Sequence, residues 1–261
     1  MKKSVLVCLV FLLTACSSQM DTEVRPGNDG FVIGTGDNAI LLTHGLSSSP
    51  REERALAEYL AAKNFTVYVV RLEGHGTSVE DLTRTKWEDW YKNYHEAYLN
   101  LKQEKQKVYV GGMSLGGVIA LKLAEDEKVD GIIALAPSLV LDDERSKYAW
   151  FFKYFTKYSL RNISKEDLPY NYDRFPISSV AEMLEMSAVV QADLSKIDEP
   201  ILIMQYRDDY RVNPASSQIV YEGVSSSKKD LDWIEGNGHV MITAPDKETH
   251  FGKIYGFIRN L

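Results

Sequence analysis

The chain has 261 residues, 44% of them hydrophobic and 26% charged, and a formal net charge of −7. That is ordinary globular composition, with length enough for a sizeable core in one large domain or two small ones. The acidic balance lacks the basic footprint that nucleic-acid binding needs, so no nucleic-acid partner is expected.

The N-terminus does not read as part of a fold. Lys2 and Lys3 precede an apolar run from Val5 to Leu13, the charged and hydrophobic regions of an export signal, too short to span a bilayer. The run ends in Leu13-Thr14-Ala15-Cys16, which resembles a bacterial lipobox. The resemblance implies that residues 1–15 are a signal peptide, that Cys16 carries lipid, and that the mature protein is anchored in the cell envelope outside the cytoplasm. On the residues alone, a plain signal with an incidental cysteine is the other reading. Cys8 would leave with the signal, so the mature domain would hold no disulfide. Loss of Lys2 and Lys3 takes the formal charge to −9, so membrane attachment would rest on acyl chains rather than on attraction to anionic lipid. Residues 16–30 are polar and without apolar period, and read as a tether reaching about 20 Å.

From Phe31 strands and helices alternate. Gly34 to Ala39 loosely fits a dinucleotide-binding fingerprint, but the strand-like "ILLTH" follows where a helix is needed; it reads as a hairpin turn. "NAILLTHG" and "FTVYVVRL" read as strands, with the helical "REERALAEYLAAK" between them. A further helix is expected from Thr85, with Glu88 completing a capping box and Trp87, Trp90, Tyr91, Tyr94, Tyr98 and Leu101 on one stripe. "KVYV", "GIIALAP", "PILIMQY" and "LDWIE" are further strands, and the last helix carries Phe251, Ile254, Tyr255 and Ile258. Apolar strands alternating with helices imply an α/β fold, a mainly parallel sheet covered on both faces. Residues 138–191 interrupt the alternation with a connection far longer than usual. Their segment "KYAWFFKYFTKYSL" holds seven of the chain's 28 aromatics. It reads either as a core helix or, from its place at a strand's C-terminal end, as a lid over an apolar substrate, with Phe151 and Phe152 as contacts.

Chemistry concentrates at "VYVGGMSLGGV", where Gly111, Gly112, Gly116 and Gly117 surround Ser114. A strand precedes the serine and a helix follows it, and Gly112 to Gly116 spell G-x-S-x-G, the nucleophile elbow. A serine hydroxyl needs a base, and the base an orienting acid, further along the chain. Asp208 and Asp209 follow one late strand, and His239 follows the next. On the residues alone either carboxylate could be the acid. His44, His75, His95 and His250 sit at a strand end, in a Gly-rich loop and on two helices, and read as structural. Developing negative charge on the substrate oxygen needs donors: the N–H of Leu115, after the serine, and that of Leu46, in the loop after an early strand.

In "LLTHGL", "VVRLEGHGTSVEDLTRTKWEDW", "GGMSLGG", the Asp209 loop and "GHV", the chain resembles the α/β-hydrolase superfamily, and within it small bacterial carboxylesterases and monoacylglycerol lipases. The resemblance implies an α/β-hydrolase fold over residues 31–261, with a lid insertion at about 138–191. It implies a serine carboxylester hydrolase with Ser114 as nucleophile, Asp209 as acid, His239 as base and Leu46 and Leu115 as oxyanion donors; Asp209 is preferred to Asp208 because the apolar Val212 follows it by three residues, as in relatives. The substrate would be a small acyl ester, of short to medium chain or a monoacylglycerol. Many relatives carry Phe where this chain has Leu46. Tyr172-Asp173-Arg174-Phe175-Pro176 resembles a lid stretch whose glutamate contacts glycerol hydroxyls, which makes Asp173 the counterpart; read by itself, Asp173 is half of a charge pair at a helix start. Thioesterase or acyltransferase chemistry would use the same residues. A non-catalytic binding lipoprotein is a different class, which loss of one of the three catalytic residue types would have favoured. The H-E-x-x-H, C-x-x-C and P-loop patterns are absent from the sequence, so no cofactor or metal is expected.

Overall fold

The computed structural model describes residues 22–236 and 238–261; the expected signal, residues 1–15, and Cys16 lie outside them. Aliphatic and β-branched runs form strands β1 (Phe31–Ile33), β2 (Asn38–Thr43), β3 (Phe65–Val70), β4 (Lys107–Met113), β5 (Ile132–Leu135), β6 (Tyr158–Leu160), β7 (Arg174–Pro176), β8 (Ile201–Tyr206) and β9 (Lys229–Ile234). The helices are α1 (Arg54–Ala61), α2 (Val79–Leu82), α3 (Trp87–Glu104), α4 (Leu115–Asp126), α5 (Ala149–Phe152), α6 (Ile177–Asp193), α7 (Ala215–Gly223) and α8 (Lys247–Arg259). The main sheet has the order β1-β3-β2-β4-β5-β8-β9, parallel except for β1, while β6 and β7 pair alone. No helix among the described residues is long and apolar enough to cross a membrane.

Both faces of the sheet are apolar, as the near-continuous burial of β2, β4, β5 and β8 requires. On one face Trp90, Tyr94, Val118, Leu121, Met186 and Val220 from α3, α4, α6 and α7 close over it. On the other, Leu56 and Leu60 of α1 meet Phe251 and Ile254 of α8. The chain runs from β2 outward to β3, then crosses back to β4. With right-handed crossovers, that reversal puts α1 and α3 on opposite faces and opens a crevice at the carboxyl ends of β2 and β4.

Four local expectations change. Gly34 to Asp37 do not close a hairpin, because β1 pairs with β3 and not with β2; the segment carries the chain past β3. Helix α3 starts one residue late: the Asp89 carboxylate accepts the Lys86 N–H at 2.9 Å. Thr85 instead donates to Leu82 O and accepts the Trp90 indole N–H, so its hydroxyl is already occupied. Residues 138–191 also divide into two kinds of structure. Helix α6 buries Met183, Met186 and Val190 in the main core, whereas residues 144–176 lie above the sheet's carboxyl end. Of the expected tether, the Arg25 N–H bonds Gly76 O at 2.8 Å and Asn28 is buried with its amide on Pro169 O at 3.0 Å. That end of the segment packs on the body.

Candidate active site

Ser114 ends β4 with φ 57° and ψ −110°, a left-handed backbone that costs a non-glycine residue free energy. The turn is held from both sides. The Ser114 N–H bonds Leu135 O of β5 at 2.8 Å, and a Cβ at Gly112 or at Gly116 would collide with the Thr43 carbonyl oxygen. Those two glycines let β2, the elbow and α4 meet. Leu115 is the first residue of α4, so its N–H has no acceptor within the helix.

Asp209 and His239 come from the loops after β8 and β9. His239 Nδ1 lies 2.8 Å from Asp209 Oδ2, and both residues are buried. Asp209 Oδ1 accepts the N–H groups of Arg211 and Val212 at 2.8 and 3.0 Å. Oδ2 also accepts from Gln205 Nε2 at 2.8 Å, and the Gln205 carbonyl takes the Ser217 hydroxyl at 2.9 Å. Donors thus converge on both carboxylate oxygens, which holds the group in place facing the imidazole. Asp208 is exposed. His250, the other histidine that follows Asp209 in the chain, is buried in the core, where its ring meets Tyr206 at 6.2 Å.

The loop after β2 supplies Leu46, whose N–H makes no hydrogen bond among the described residues. Its neighbours are tied down by other bonds. The Gly45 N–H bonds Glu52 Oε2 at 2.9 Å. Ser47, at φ 62°, gives its carbonyl to Tyr172 N at 2.9 Å and Arg161 Nη1 at 3.1 Å. His44 Nδ1 donates to Gly45 O at 3.0 Å while Nε2 accepts the Leu72 N–H at 3.3 Å. Burial, against the opposing Gly45 bond, pushes the His44 pKa down to about 4, so the ring is neutral at pH 7 and both contacts fit one tautomer. Sequence reading set His44 aside as a strand end. It ties the loops after β2 and β3 together, as Gln205 ties down Asp209; neither role has a sequence signature of its own.

Ser114 and His239 share a cleft of about 630 Å³ with Leu46, Met113, Phe152 and Phe175, a volume in the usual range for small-molecule sites. The sequence-chosen residues of the insertion separate here. Phe152 lines the cleft. Phe151 does not; it packs on Trp150, Phe152 and Phe155 at ring distances of 5.1 to 5.8 Å. Asp173 also lies outside the lining, its carboxylate forked by Arg174 at 2.7 and 3.0 Å. The neighbouring Tyr172 is buried, its hydroxyl accepting the Thr77 N–H and donating to Gly74 O.

A parallel sheet reversing its order at a crevice, with a strained serine turn there and an aspartate–histidine pair beside it, defines an α/β hydrolase. The sequence model of the α/β-hydrolase family described as "serine aminopeptidase, S33" matches residues 35–246, and the chain belongs to that family. It is 29% identical over 236 residues to a carboxylesterase of Bacillus subtilis (strain 168), covering 88% of this chain and 96% of that one. It is 32% identical over 227 residues to a thermostable monoacylglycerol lipase of Bacillus sp. (strain H-257), covering 83% and 88%. Among solved structures, that of one of the metagenome-derived lipolytic enzymes LipS and LipT superposes with a TM-score of 0.85 at 26% identity, over 92% of this chain and all of the other. The chain is a carboxylesterase- and monoacylglycerol-lipase-like α/β hydrolase.

Proposed function

We propose that the chain hydrolyses carboxylic esters of short- to medium-chain acids, monoacylglycerols among them, through an acyl-enzyme on Ser114. The Ser114 oxygen attacks the ester carbonyl carbon while its proton passes to His239 Nε2. The carbonyl oxygen becomes an oxyanion facing the Leu46 and Leu115 N–H groups. Collapse breaks the bond to the alcohol oxygen, which leaves with the proton from His239. Water then repeats the sequence: it loses a proton to His239, attacks the acyl carbon and releases the acid, and the proton returns to Ser114. Asp209 stays ionised throughout and orients the ring. The observation that carries this reading is the 2.8 Å Asp209–His239 bond. It uses Nδ1 and leaves Nε2 without a hydrogen bond among the described residues, in the cleft shared with Ser114. The test is a panel of p-nitrophenyl esters and monoacylglycerols on protein lacking residues 1–16. Turnover should vanish in Ser114→Ala with the thermal midpoint retained; near wild-type turnover in that variant defeats the reading.

We also propose that residues 1–15 direct export and that an acylated Cys16 holds the hydrolase on a membrane of the cell envelope. The support is the lysine pair and apolar run leading into Leu13-Thr14-Ala15-Cys16. The full chain should partition with membranes and Cys16→Ser should lose acylation. A soluble exported chain with an unmodified N-terminus would overturn the proposal.

A further inference from the structure

The cleft carries more positive charge than an acidic chain needs. Arg145, Arg161 and Arg211 all line it, against the carboxylates of Glu52 and Asp143. Arg145 is already satisfied, because Asp143 takes its guanidinium at 2.7 to 3.1 Å. The Glu52 carboxylate is engaged by the Gly45 N–H. Arg161 and Arg211 have no carboxylate partner among the described residues. The Arg161 guanidinium uses only Nη1, on Ser47 O at 3.1 Å and Asn171 Oδ1 at 3.3 Å, while its Nε is buried without an acceptor. The Arg211 guanidinium makes no hydrogen bond or ion pair among the described residues; it rests on rings, 5.5 Å from the centre of Tyr210 and 6.0 Å from that of Phe175.

Two like charges therefore share one ring, since the Arg161 guanidinium lies 5.2 Å from the centre of Phe175 as well. Like charges converge at cost unless something negative joins them. Burial, and after it the Arg211 charge, lowers the Arg161 pKa to about 10, against the weaker opposing pull of the Glu52 and Asp167 carboxylates, so Arg161 remains cationic at pH 7. Their backbones are pinned. The Arg211 N–H is on Asp209 Oδ1 and its carbonyl accepts the Asp142 N–H at 2.9 Å. The Arg161 N–H bonds Asp173 O at 2.9 Å. A preorganised pair of guanidinium groups with unused donors is suited to an oxyanion, which each can grip with two parallel bonds.

We propose that Arg161 and Arg211 form an anion subsite in this cleft, so that the enzyme prefers esters bearing a carboxylate or phosphate group over neutral esters of equal length. This rests on the ester-hydrolase reading above and narrows its substrate class. Two sources of the anion are possible in chemical terms: a carboxylate on the acyl chain, as in a dicarboxylic acid half-ester, or a phosphate on the alcohol, as in an acylglycerol phosphate.

The experiment compares kcat/KM within two pairs, monomethyl adipate against methyl hexanoate and 1-octanoylglycerol 3-phosphate against 1-octanoylglycerol. The anionic member of at least one pair should be favoured about tenfold, as a single charge-assisted contact permits, and which pair responds identifies the source. Arg211→Gln and Arg161→Gln should each bring that ratio toward one, and 0.5 M salt should shrink it in the wild type. Arg161→Gln also removes the bond to Ser47 O, so Arg211→Gln decides the matter if the first variant is unstable. Calorimetric titration of Ser114→Ala with adipate and with glycerol 3-phosphate reads the subsite without turnover: the anion of the responding pair should bind, and bind at least tenfold more weakly after adding Arg211→Gln. Ratios at or below one in both pairs, ratios that Arg211→Gln leaves alone, or binding of that pair's anion that is absent or indifferent to Arg211 would overturn the subsite. Loss of all turnover with one of the two anions still bound through Arg211 would instead defeat the hydrolase reading and leave the subsite standing.

Discussion

The Asp209 loop and the segment from Trp150 to Phe155 both border the cleft, and they are built by opposite means. Asp209 receives four donors within 3.0 Å, three of them from residues within four positions along the chain. Its position is set by directional bonds in a buried site. The aromatic segment has no comparable network. Its rings touch one another, and Trp150 and Phe155 are 63% and 73% exposed. Apolar contact is non-directional, so this wall can change shape at little cost where the Asp209 loop cannot. On the proposed function, the chemistry would belong to the rigid part and the choice of acyl group to the adaptable one.

The contrast is most sharply tested at Asp209. Asp209→Asn should lower kcat by about 10⁴, the loss typical of an orienting acid, because it puts the wrong tautomer of His239 toward the serine. Asp208→Asn should leave kcat within about twofold. An equal loss in both variants would show that charge near the loop matters rather than the bond. Gln205→Leu should lower kcat by about tenfold with KM little changed, since it removes one bond to an ionised carboxylate. It should also move the acid limb of the pH–rate profile, which a purely structural defect would not do.

On the adaptable side the effects are smaller and depend on substrate. Phe152→Ala should reduce kcat/KM for octanoate esters more than for acetate esters, within the roughly 1–3 kcal/mol that one methylene can discriminate. Phe151→Ala should act equally on both, being outside the lining. A chain-length effect from Phe151 would place the outer aromatics in the substrate path.

One feature of the rigid part breaks the pattern. Glu53 is completely buried and neither carboxyl oxygen has a hydrogen-bond partner among the described residues. Burial, then the neighbouring Glu52 carboxylate, raises its pKa well above the ordinary 4.5, against a smaller opposing contribution from the Met113 backbone. As pH climbs past 4.5 the unfolded chain ionises first, so Glu53 draws the equilibrium toward unfolding. Glu53→Met, similar in volume, should therefore stabilise by about 1–3 kcal/mol at neutral pH. The gain should be larger at pH 8 than at pH 5 when thermal midpoints are compared.

What sequence could disclose follows from the range of the interactions. The elbow was legible because its demands are local: a strand, a turn that excludes Cβ atoms at Gly112 and Gly116, and a helix. The choice of Asp209 over Asp208 rested on family resemblance, in which an apolar residue follows the acid by three; in this chain that residue is Val212, whose N–H donates to Asp209. The strand order around β1 was not legible, because a short segment with β-propensity does not reveal which strand it will join. The roles of His44, Gln205, Arg161 and Arg211 were hidden for a related reason. Each depends at least in part on a partner brought near by the fold, such as Leu72 for His44 and Phe175 for both arginines. For Asp173 the residues alone pointed to a charge pair, and Arg174 takes both of its oxygens; only the family resemblance pointed to substrate contact.

The central claim is that the strained turn at Ser114 presents a nucleophile activated by His239. A fluorophosphonate tests it directly, because only an activated serine displaces fluoride to form a stable phosphonate ester. Peptide mapping by mass spectrometry after treatment at neutral pH should find the adduct on Ser114 alone, and labelling should be nearly abolished in His239→Ala. An unlabelled folded protein, an adduct on another residue, or labelling of Ser114 at the same rate without His239 would contradict it.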